Sequence, residues 1–239
     1  MTTIVGKPRI SARQASLGDL IHERLGAAEV RRRAHHMLPG LIPLVLWVLP
    51  HPHRWIVATS VGAAVVAGAV VTFVRFHCIK RAEEGQTDCI IAVTSYAGSI
   101  LATLILFAPR VEVAFLVLGV FAFGDGSATL AGMLVGRRPL PWNKNKTIVG
   151  TACFLLIGAP MAAFLYGMET RNLWAAAYPS LACATHPVAF GVALTMATVT
   201  TLAAAIAESL PSRTNDNLRV GITAAIVASM MQMLLVGWN

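Results

Sequence analysis

The chain has 239 residues, of which 56% are hydrophobic and 13% are charged, and its formal net charge at pH 7 is +8. Soluble domains carry about 25% charged residues, so this composition excludes an ordinary soluble domain and indicates an integral membrane protein. No stretch combines basic and aromatic residues as nucleic-acid-binding surfaces do, and we therefore expect no nucleic acid partner.

Seven apolar runs follow one another along the chain, and six of them reach the roughly 20 residues that a membrane-spanning helix needs. The runs are residues 38–50, 55–74, 89–108, 111–135, 148–167, 187–207 and 218–238. The first is short and contains Pro39 and Pro43. The sequence predicts an all-α, polytopic membrane protein with about seven transmembrane helices. A basic cytoplasmic segment, 1–37, precedes the transmembrane domain, 38–239. The apolar stretch 173–183 is too short to cross alone and is predicted to be interfacial, re-entrant or part of an eighth helix.

Lysine and arginine are distributed unevenly between the connections of these helices. With a cytoplasmic N-terminus, the inner segments hold all but three of the 19 lysines and arginines. These segments are residues 1–37, 75–87, 136–147 and 208–219. The exceptions are Arg54, Arg110 and Arg171. Because cytoplasmic loops carry an excess of these residues, we expect a cytoplasmic N-terminus, in the plasma or inner membrane if the source is bacterial.

Asp125 lies inside the fourth apolar run, where a carboxylate is expensive and points to a functional site. On a helix, Asp125, Thr129, Gly132 and Gly136 share one face. An acid, a hydroxyl and small residues on that face, together with Gly126, suit close approach by a ligand or a metal ion. The alternative is helix packing through glycine. Packing explains the glycines but does not explain why an aspartate lies in the apolar run.

An unbroken helix would separate Asp125 from Arg137 by roughly 16 Å, at about 1.5 Å per residue. A site that both residues share therefore needs an irregularity in the helix, for which Gly124 and Gly126 are suitably placed, or a cavity reaching in from the cytoplasm. Backbone irregularity at membrane depth is tolerated where it is buried in protein or lines a wet cavity.

The loop that follows is strongly basic, with Arg137, Arg138, Lys144 and Lys146. Lysine supplies point charge to phosphate and arginine binds it with two hydrogen bonds. Thr147 is placed to cap the next helix, and helix N-termini attract anions. We interpret these five residues as a nucleotide-phosphate site. The alternative is that the cations only set the topology.

A third polar group surrounds the turn at 207–218, where Glu208 ends one apolar run and Asp216 and Asn217 begin the last. The predicted topology puts this turn on the same membrane face as the basic loop. Carboxylates facing cations suit a divalent metal bound together with phosphates, and oxygen ligands of this kind favour Mg²⁺. The alternative is a solvated turn between helices.

The basic run 31–36 lies on the same predicted face and adds Arg33 and His36 as candidates to reach the site. Basic residues before a first span commonly only anchor it to the membrane.

Three ordered motifs emerge from these residues. The first comprises Gly124, Asp125, Gly126, Ala128, Gly132 and Gly136. The second comprises Pro141, Asn143, Lys146, Thr147 and Gly150. The third comprises Glu208, Ser209, Leu210, Pro211, Asp216 and Asn217. In this order and spacing the chain resembles the polyprenol kinase family of integral membrane enzymes, most of all its phytol and farnesol kinase branch. Asn215 departs from the pattern, because the family has an aspartate there.

The resemblance implies transfer of the γ-phosphate of a nucleoside triphosphate, usually CTP, to the hydroxyl of an isoprenoid or other lipid alcohol at a cytoplasmic site. Asp125, Asp216 and Glu208 would be the catalytic residues, with Mg²⁺ on Asp125 and Asp216. The predicted nucleotide-binding residues are Arg137, Arg138, Lys144, Lys146, Thr147, Gly126, Gly132, Gly136 and Asn217. The alternatives are a CTP-dependent phosphatidate cytidylyltransferase-like enzyme that makes a CDP-lipid and, further away, a non-enzymatic transporter with ion-coupling acids.

Overall fold

A computed structural model describes residues 25, 29–48, 54–75, 85–107, 110–171, 187–212 and 214–237. Within these ranges the chain is helical apart from short connections and contains no β-strand. A helical lead-in at residues 29–37 runs into a 3-10 turn at Leu38–Leu41. The helices that follow are α1 (Ile42–Val48), α2 (Arg54–Val74), α3 (Gln86–Leu106), α4 (Val111–Val135), α5 (Ile148–Glu169), α6 (Phe190–Ser209) and α7 (Asp216–Leu235).

Among the described residues, the four helices α4 to α7 are long and apolar enough to cross a membrane. Helices α2 and α3 contain shorter apolar helices, Thr59–Val74 and Ile90–Leu106. The predicted all-α class is confirmed for the described residues, whereas the number of seven spans and the division at residue 37 stay predictions. Most of the predicted cytoplasmic segment, up to residue 24, and the apolar stretch 173–183 lie outside the described residues.

Helix α4 is the centre of the bundle, and 89% of its apolar 18-residue segment is buried. A helix that is hydrophobic all round is buried by its neighbours, and α4 packs against α5, α6 and α7. Glycines allow close approach at its contact with α5. A Cβ on Gly119 would lie 2.6 Å from Cα of Ala162, and one on Gly158 would lie 2.8 Å from Cα of Gly124. These glycines therefore serve packing between membrane helices.

The irregularity expected near Gly124 and Gly126 is a π-helical turn at Val120–Asp125 inside an otherwise continuous α4. Such turns insert an extra residue and occur frequently at functional sites. Asp125 is the last residue of this turn. Because the helix is not broken, Asp125 shares a site with the basic loop only through a cavity that extends along the helix.

Successive helices from α2 to α7 run up and down. The last residues of α2, α4 and α6 therefore meet the first residues of α3, α5 and α7 at one end of the bundle, here named the site end. Contacts between these termini are direct: the Asn217 side chain on α7 donates to the Ala92 carbonyl on α3 at 3.1 Å.

Candidate active site

A cavity of about 830 Å³ lies at the site end. This volume is within the range of small-molecule sites, about 300–1,000 Å³. Its wall contains members of all three motifs that the sequence singles out. They are Asp125, Gly132, Lys146, Thr147, Glu208, Asp216 and Asn217. Stretches that are far apart in the chain therefore contribute to a single cavity.

Asp125 faces this cavity from α4, and its side chain is 12% exposed. Its Oδ2 lies 2.9 Å from Nε2 of His36. The His36 ring packs on the Tyr96 ring with 4.1 Å between centroids, and the Tyr96 hydroxyl donates to the His36 backbone oxygen at 2.6 Å. Helix α3 thereby holds His36 beside the carboxylate.

The loop between α4 and α5 folds back on itself as a short hairpin. Within it, the Leu140 N–H donates to the Lys146 carbonyl at 2.8 Å. The hairpin ends at Thr147, whose Oγ1 accepts the Gly150 N–H at 3.1 Å. The predicted helix cap at Thr147 is confirmed. The hairpin and the cap together point Lys146 into the cavity.

The hairpin is attached to the end of α6. The Trp142 indole N–H donates to Oγ of Ser209 at 3.3 Å, and the Asn143 amide donates to the Ser209 carbonyl at 3.1 Å. Helix α6 ends at Ser209, because the residue before Pro211 is restricted to extended conformations and Leu210 has ψ 137°. The basic loop and the turn at 207–218 therefore form one unit.

Lys146 is the centre of the charge network. Its Nζ contacts Oε1 of Glu208 and lies 2.9 Å from Oδ2 of Asp216. Arg219 contacts the other oxygen of Asp216 at 2.7 Å. Burial lowers the pKa of Lys146, but the ion pairs with Glu208 and Asp216 outweigh this effect, and the pKa lies above its ordinary value of 10.5. Lys146 is therefore charged at neutral pH, and its charge also acts on Asp125.

Asn215, which departs from the family pattern, caps α7. Its Oδ1 accepts the Asn217 N–H at 2.9 Å and the Ser95 hydroxyl at 3.0 Å. An N-cap needs only a side-chain oxygen, and asparagine serves as well as aspartate. Asn217 lines the cavity, but its amide is engaged with α3. Its assignment to nucleotide binding stays a prediction.

Two of the predicted glycines pack against protein and do not form part of the cavity wall. A Cβ on Gly126 would lie 2.6 Å from Cγ of Met37, and one on Gly136 would lie 2.7 Å from Oγ1 of Thr147. Gly132 lines the cavity, and its Cβ would lie 3.0 Å from the same Thr147 oxygen. The glycines at 132 and 136 therefore make room for the helix cap. Nucleotide binding at these glycines stays a prediction.

The cations of the motifs are divided between the cavity and the surface. Arg137, Arg138 and Lys144 are exposed and lie outside the cavity wall, so their part in phosphate binding stays a prediction. Arg32 and Arg33 of the lead-in do line the cavity. In the sequence, these two arginines stand out only as part of the basic run before the first span. Anchoring of that span to the membrane explains the run equally well.

Tyr96 is a cavity residue that the sequence did not single out. It stands in an ordinary apolar run, and no spacing rule connects it with His36 or Asp125. Only the packing of α3 and α4 against the lead-in brings these three side chains together.

Within the described ranges, no three His, Cys, Asp or Glu side chains form a group suited to hold a metal ion. The carboxylates are instead paired with His36, Lys146 and Arg219. This arrangement is compatible with Mg²⁺, which typically binds through one or two carboxylates and completes its shell with waters and substrate phosphates.

Comparison with known proteins identifies a distant relative. Over 138 residues the chain is 29% identical to a chloroplastic farnesol kinase of Arabidopsis thaliana, and the match covers 57% of this chain and 41% of the relative. The chain thus matches less than half of the length of that curated protein. No family model and no solved structure matches the chain. The similarity supports the resemblance to prenyl alcohol kinases as a distant relationship.

Proposed function

We propose that this protein is a membrane-bound kinase that transfers the γ-phosphate of a nucleoside triphosphate to the hydroxyl of a lipid alcohol, with an isoprenoid alcohol as the expected acceptor. One observation carries the proposal: a single cavity brings together Asp125, Lys146, Glu208 and Asp216 from three separate stretches of the chain. The distant similarity to a farnesol kinase supports the same reaction class.

The nucleotide is proposed to bind with its phosphates at Lys146 and Thr147, next to Arg33. Lys146 stands on a hairpin that is anchored to α6, so its ammonium group is held in position before a ligand binds. Preorganised charge of this kind stabilises the charge that develops in phosphoryl transfer. The exposed cations Arg137 and Arg138 would attract the polyphosphate from the cytoplasm. CTP is the proposed donor, on the basis of the resemblance in the motifs.

Mg²⁺ is the proposed cofactor, and Asp125 with Asp216 would hold it. When bound, it neutralises charge on the phosphate oxygens. These two side chains already face cationic or polar partners across the cavity, His36 for Asp125 and Lys146 for Asp216. The two carboxylates are thus part of a charge-balanced wall. They can exchange their present partners when phosphates enter the cavity.

The reaction itself joins the alcohol oxygen to the γ-phosphorus and breaks the bond between that phosphorus and the β–γ bridging oxygen. A nucleoside diphosphate leaves, and the hydroxyl proton passes to a carboxylate of the cavity. Glu208 and Asp125 are the two candidates, since both are buried in the wall. Positioning and charge stabilisation supply most of the catalysis in reactions of this type.

The site end is proposed to face the cytoplasm, where the nucleotide is available. The uneven distribution of lysine and arginine supports this orientation. Among the described residues, three arginines are at the opposite, far end of the bundle, and the other lysines and arginines are at the site end. The three are Arg54, Arg110 and Arg171.

The test is phosphate transfer by the purified protein, supplied with γ-labelled CTP, Mg²⁺ and a panel of alcohols that includes farnesol and phytol. A labelled lipid monophosphate together with CDP is the expected result. Pyrophosphate and a CDP-lipid would show nucleotidyl transfer instead. Absence of any labelled lipid with CTP or ATP would overturn the proposal.

A further inference from the structure

The cavity has a second, uncharged wall, on α2. The residues that form it are Ala64, Val65, Gly68, Ala69 and Thr72. Their spacing puts them on one face of the helix, along roughly 12 Å of its axis at about 1.5 Å per residue. The Thr72 hydroxyl donates to the Gly68 carbonyl at 2.8 Å, so its hydrogen bond is satisfied within the helix. The wall therefore has no charge, and its one hydroxyl has a partner within the helix.

This wall and the charged groups belong to the same cavity. Val93 and Ala97 of α3 and Met133 of α4 also contribute to its apolar part. Met133 is 44% exposed, and Val70, next to the wall on α2, is 53% exposed. In a membrane protein such apolar exposure faces lipid. The cavity thus reaches from the charged groups to the lipid-facing surface, which suits an amphiphile with a polar head and a hydrocarbon tail.

Gly68 lies next to open space and not at a helix contact. A Cβ added there would meet no atom within 4 Å. By contrast, a Cβ on Gly62 of the same helix would lie 3.3 Å from Leu101 of α3, as expected where two helices touch. Gly62 is thus at a helix contact, whereas Gly68 borders the cavity.

We propose that the α2 wall binds the hydrocarbon tail of the lipid alcohol and that the missing side chain at Gly68 determines how bulky and how long a tail the site accepts. This inference rests on the proposed kinase function. The tail would run along Ala64 and Gly68 towards the lipid, with the hydroxyl at the charged groups. Because the wall has no polar group in need of a partner, it discriminates by shape and length.

The test compares Gly68→Leu with the matched control Gly98→Leu. Gly98 is also in a long helix, α3, and a Cβ there would also meet nothing within 4 Å, but Gly98 does not line the cavity. Leucine has a higher helix propensity than glycine, so neither change weakens its helix. With geraniol, farnesol and phytol as acceptors, kcat/KM of Gly68→Leu should fall about 10- to 100-fold for phytol relative to geraniol. Gly98→Leu should keep the wild-type ratio, and KM for CTP should be unchanged in both.

A binding measurement separates this inference from the proposed function. Phytol should raise the thermal unfolding midpoint of the wild type and of Gly98→Leu, and it should raise that of Gly68→Leu much less. If the wild type transfers no phosphate but this pattern is observed, the tail site stands and the kinase proposal falls. If Gly68→Leu retains both the wild-type acceptor ratio and the phytol shift, the tail site is wrong. Should Gly68→Leu fail to fold, the smaller Gly68→Ala must show an intermediate change in the ratio, and an unchanged ratio overturns the inference.

Discussion

The two ends of the bundle both bury acidic side chains, but they do so differently. At the site end, Asp125 and Glu208 line a large cavity next to Lys146. At the far end, where α4 begins and α5 and α7 finish, Glu112 is fully buried and does not line that cavity. Nη1 of Arg110 lies 3.7 Å from Oε1 of Glu112.

The far end is also closed by a hydrogen bond between two fully buried side chains. The Tyr166 hydroxyl donates to Oε1 of Gln232 at 2.8 Å, and the Gln232 amide donates to the Gly237 carbonyl at 3.2 Å. The comparison teaches that burial of an acid in a membrane helix does not by itself indicate a reaction site. What distinguishes the site end is space next to the acid, together with cations that a ligand can recruit.

The largest difference between the two ends should appear when each acid is neutralised. Asp125→Asn is expected to lower kcat at least about 1,000-fold, since it removes a carboxylate that is proposed to hold Mg²⁺ next to the reacting phosphates. Glu112→Gln should retain kcat within about twofold, because Glu112 is remote from the cavity. The measurement is phosphate transfer by both purified variants, with thermal unfolding to establish that each is folded. Near-normal turnover by Asp125→Asn would remove Asp125 from the mechanism.

Within the site end, Lys146, which is partly buried, and Lys144, which is exposed, should behave differently. Lys146→Met is expected to raise KM for CTP about tenfold or more, which corresponds to the loss of one charge-assisted hydrogen bond of about 1.5–3 kcal/mol. Lys144→Met is the matched control and should change KM less than about twofold, because Lys144 is exposed outside the cavity. Equal increases in the two variants would mean that the loop acts through its overall charge.

The far end should respond in stability and not in activity. Tyr166→Phe leaves the buried Gln232 oxygen without its donor, and this is expected to lower the free energy of unfolding by about 1–3 kcal/mol. The values of kcat and KM should remain those of the wild type. Denaturant titration in detergent and steady-state kinetics on the same preparation provide the measurement. A selective loss of turnover in a stable Tyr166→Phe protein would connect the far end to the reaction.

The smallest expected effect is the pH dependence of the ion pairs of Lys146. Its pKa in the folded protein is raised above 10.5 by Glu208 and Asp216 against the effect of burial. The stabilisation is therefore fully present below the ordinary pKa and is lost as pH rises through the raised one. The difference in unfolding midpoint between wild type and Lys146→Met should persist from pH 7 to about pH 9. A difference that disappears within this interval would contradict the ion pairs.

Much of the local structure was predictable, because it depends on residues close together in the chain. Thr147 caps α5, Asp216 begins α7, and Glu208 stands in the last turn of α6, as the sequence predicts. The resemblance of the motifs to prenyl alcohol kinases likewise finds support in the distant relative.

The contacts of the cavity were not predictable in the same way. Tyr96 meets His36 across 60 residues, and Ser95 meets Asn215 across 120. From the sequence, Gly126 and Gly136 could serve ligand binding or helix packing equally well. Only the atoms next to them in the structure distinguish packing from ligand contact. Sequence spacing identifies neighbours on one helix, but it does not show which side chains of another helix they contact.

The amino-acid sequence alone determined that this chain is a helical membrane protein and that acids and cations recur at alternating helix ends, because hydropathy and charge act residue by residue. Tertiary structure decided which of these charges share a cavity, and it separated Asp125 from Glu112, two acids of the same helix. The physical reason is that the packing of α2 and α3 relative to α4 determines whether the space next to an acid is filled by protein or left open as a cavity.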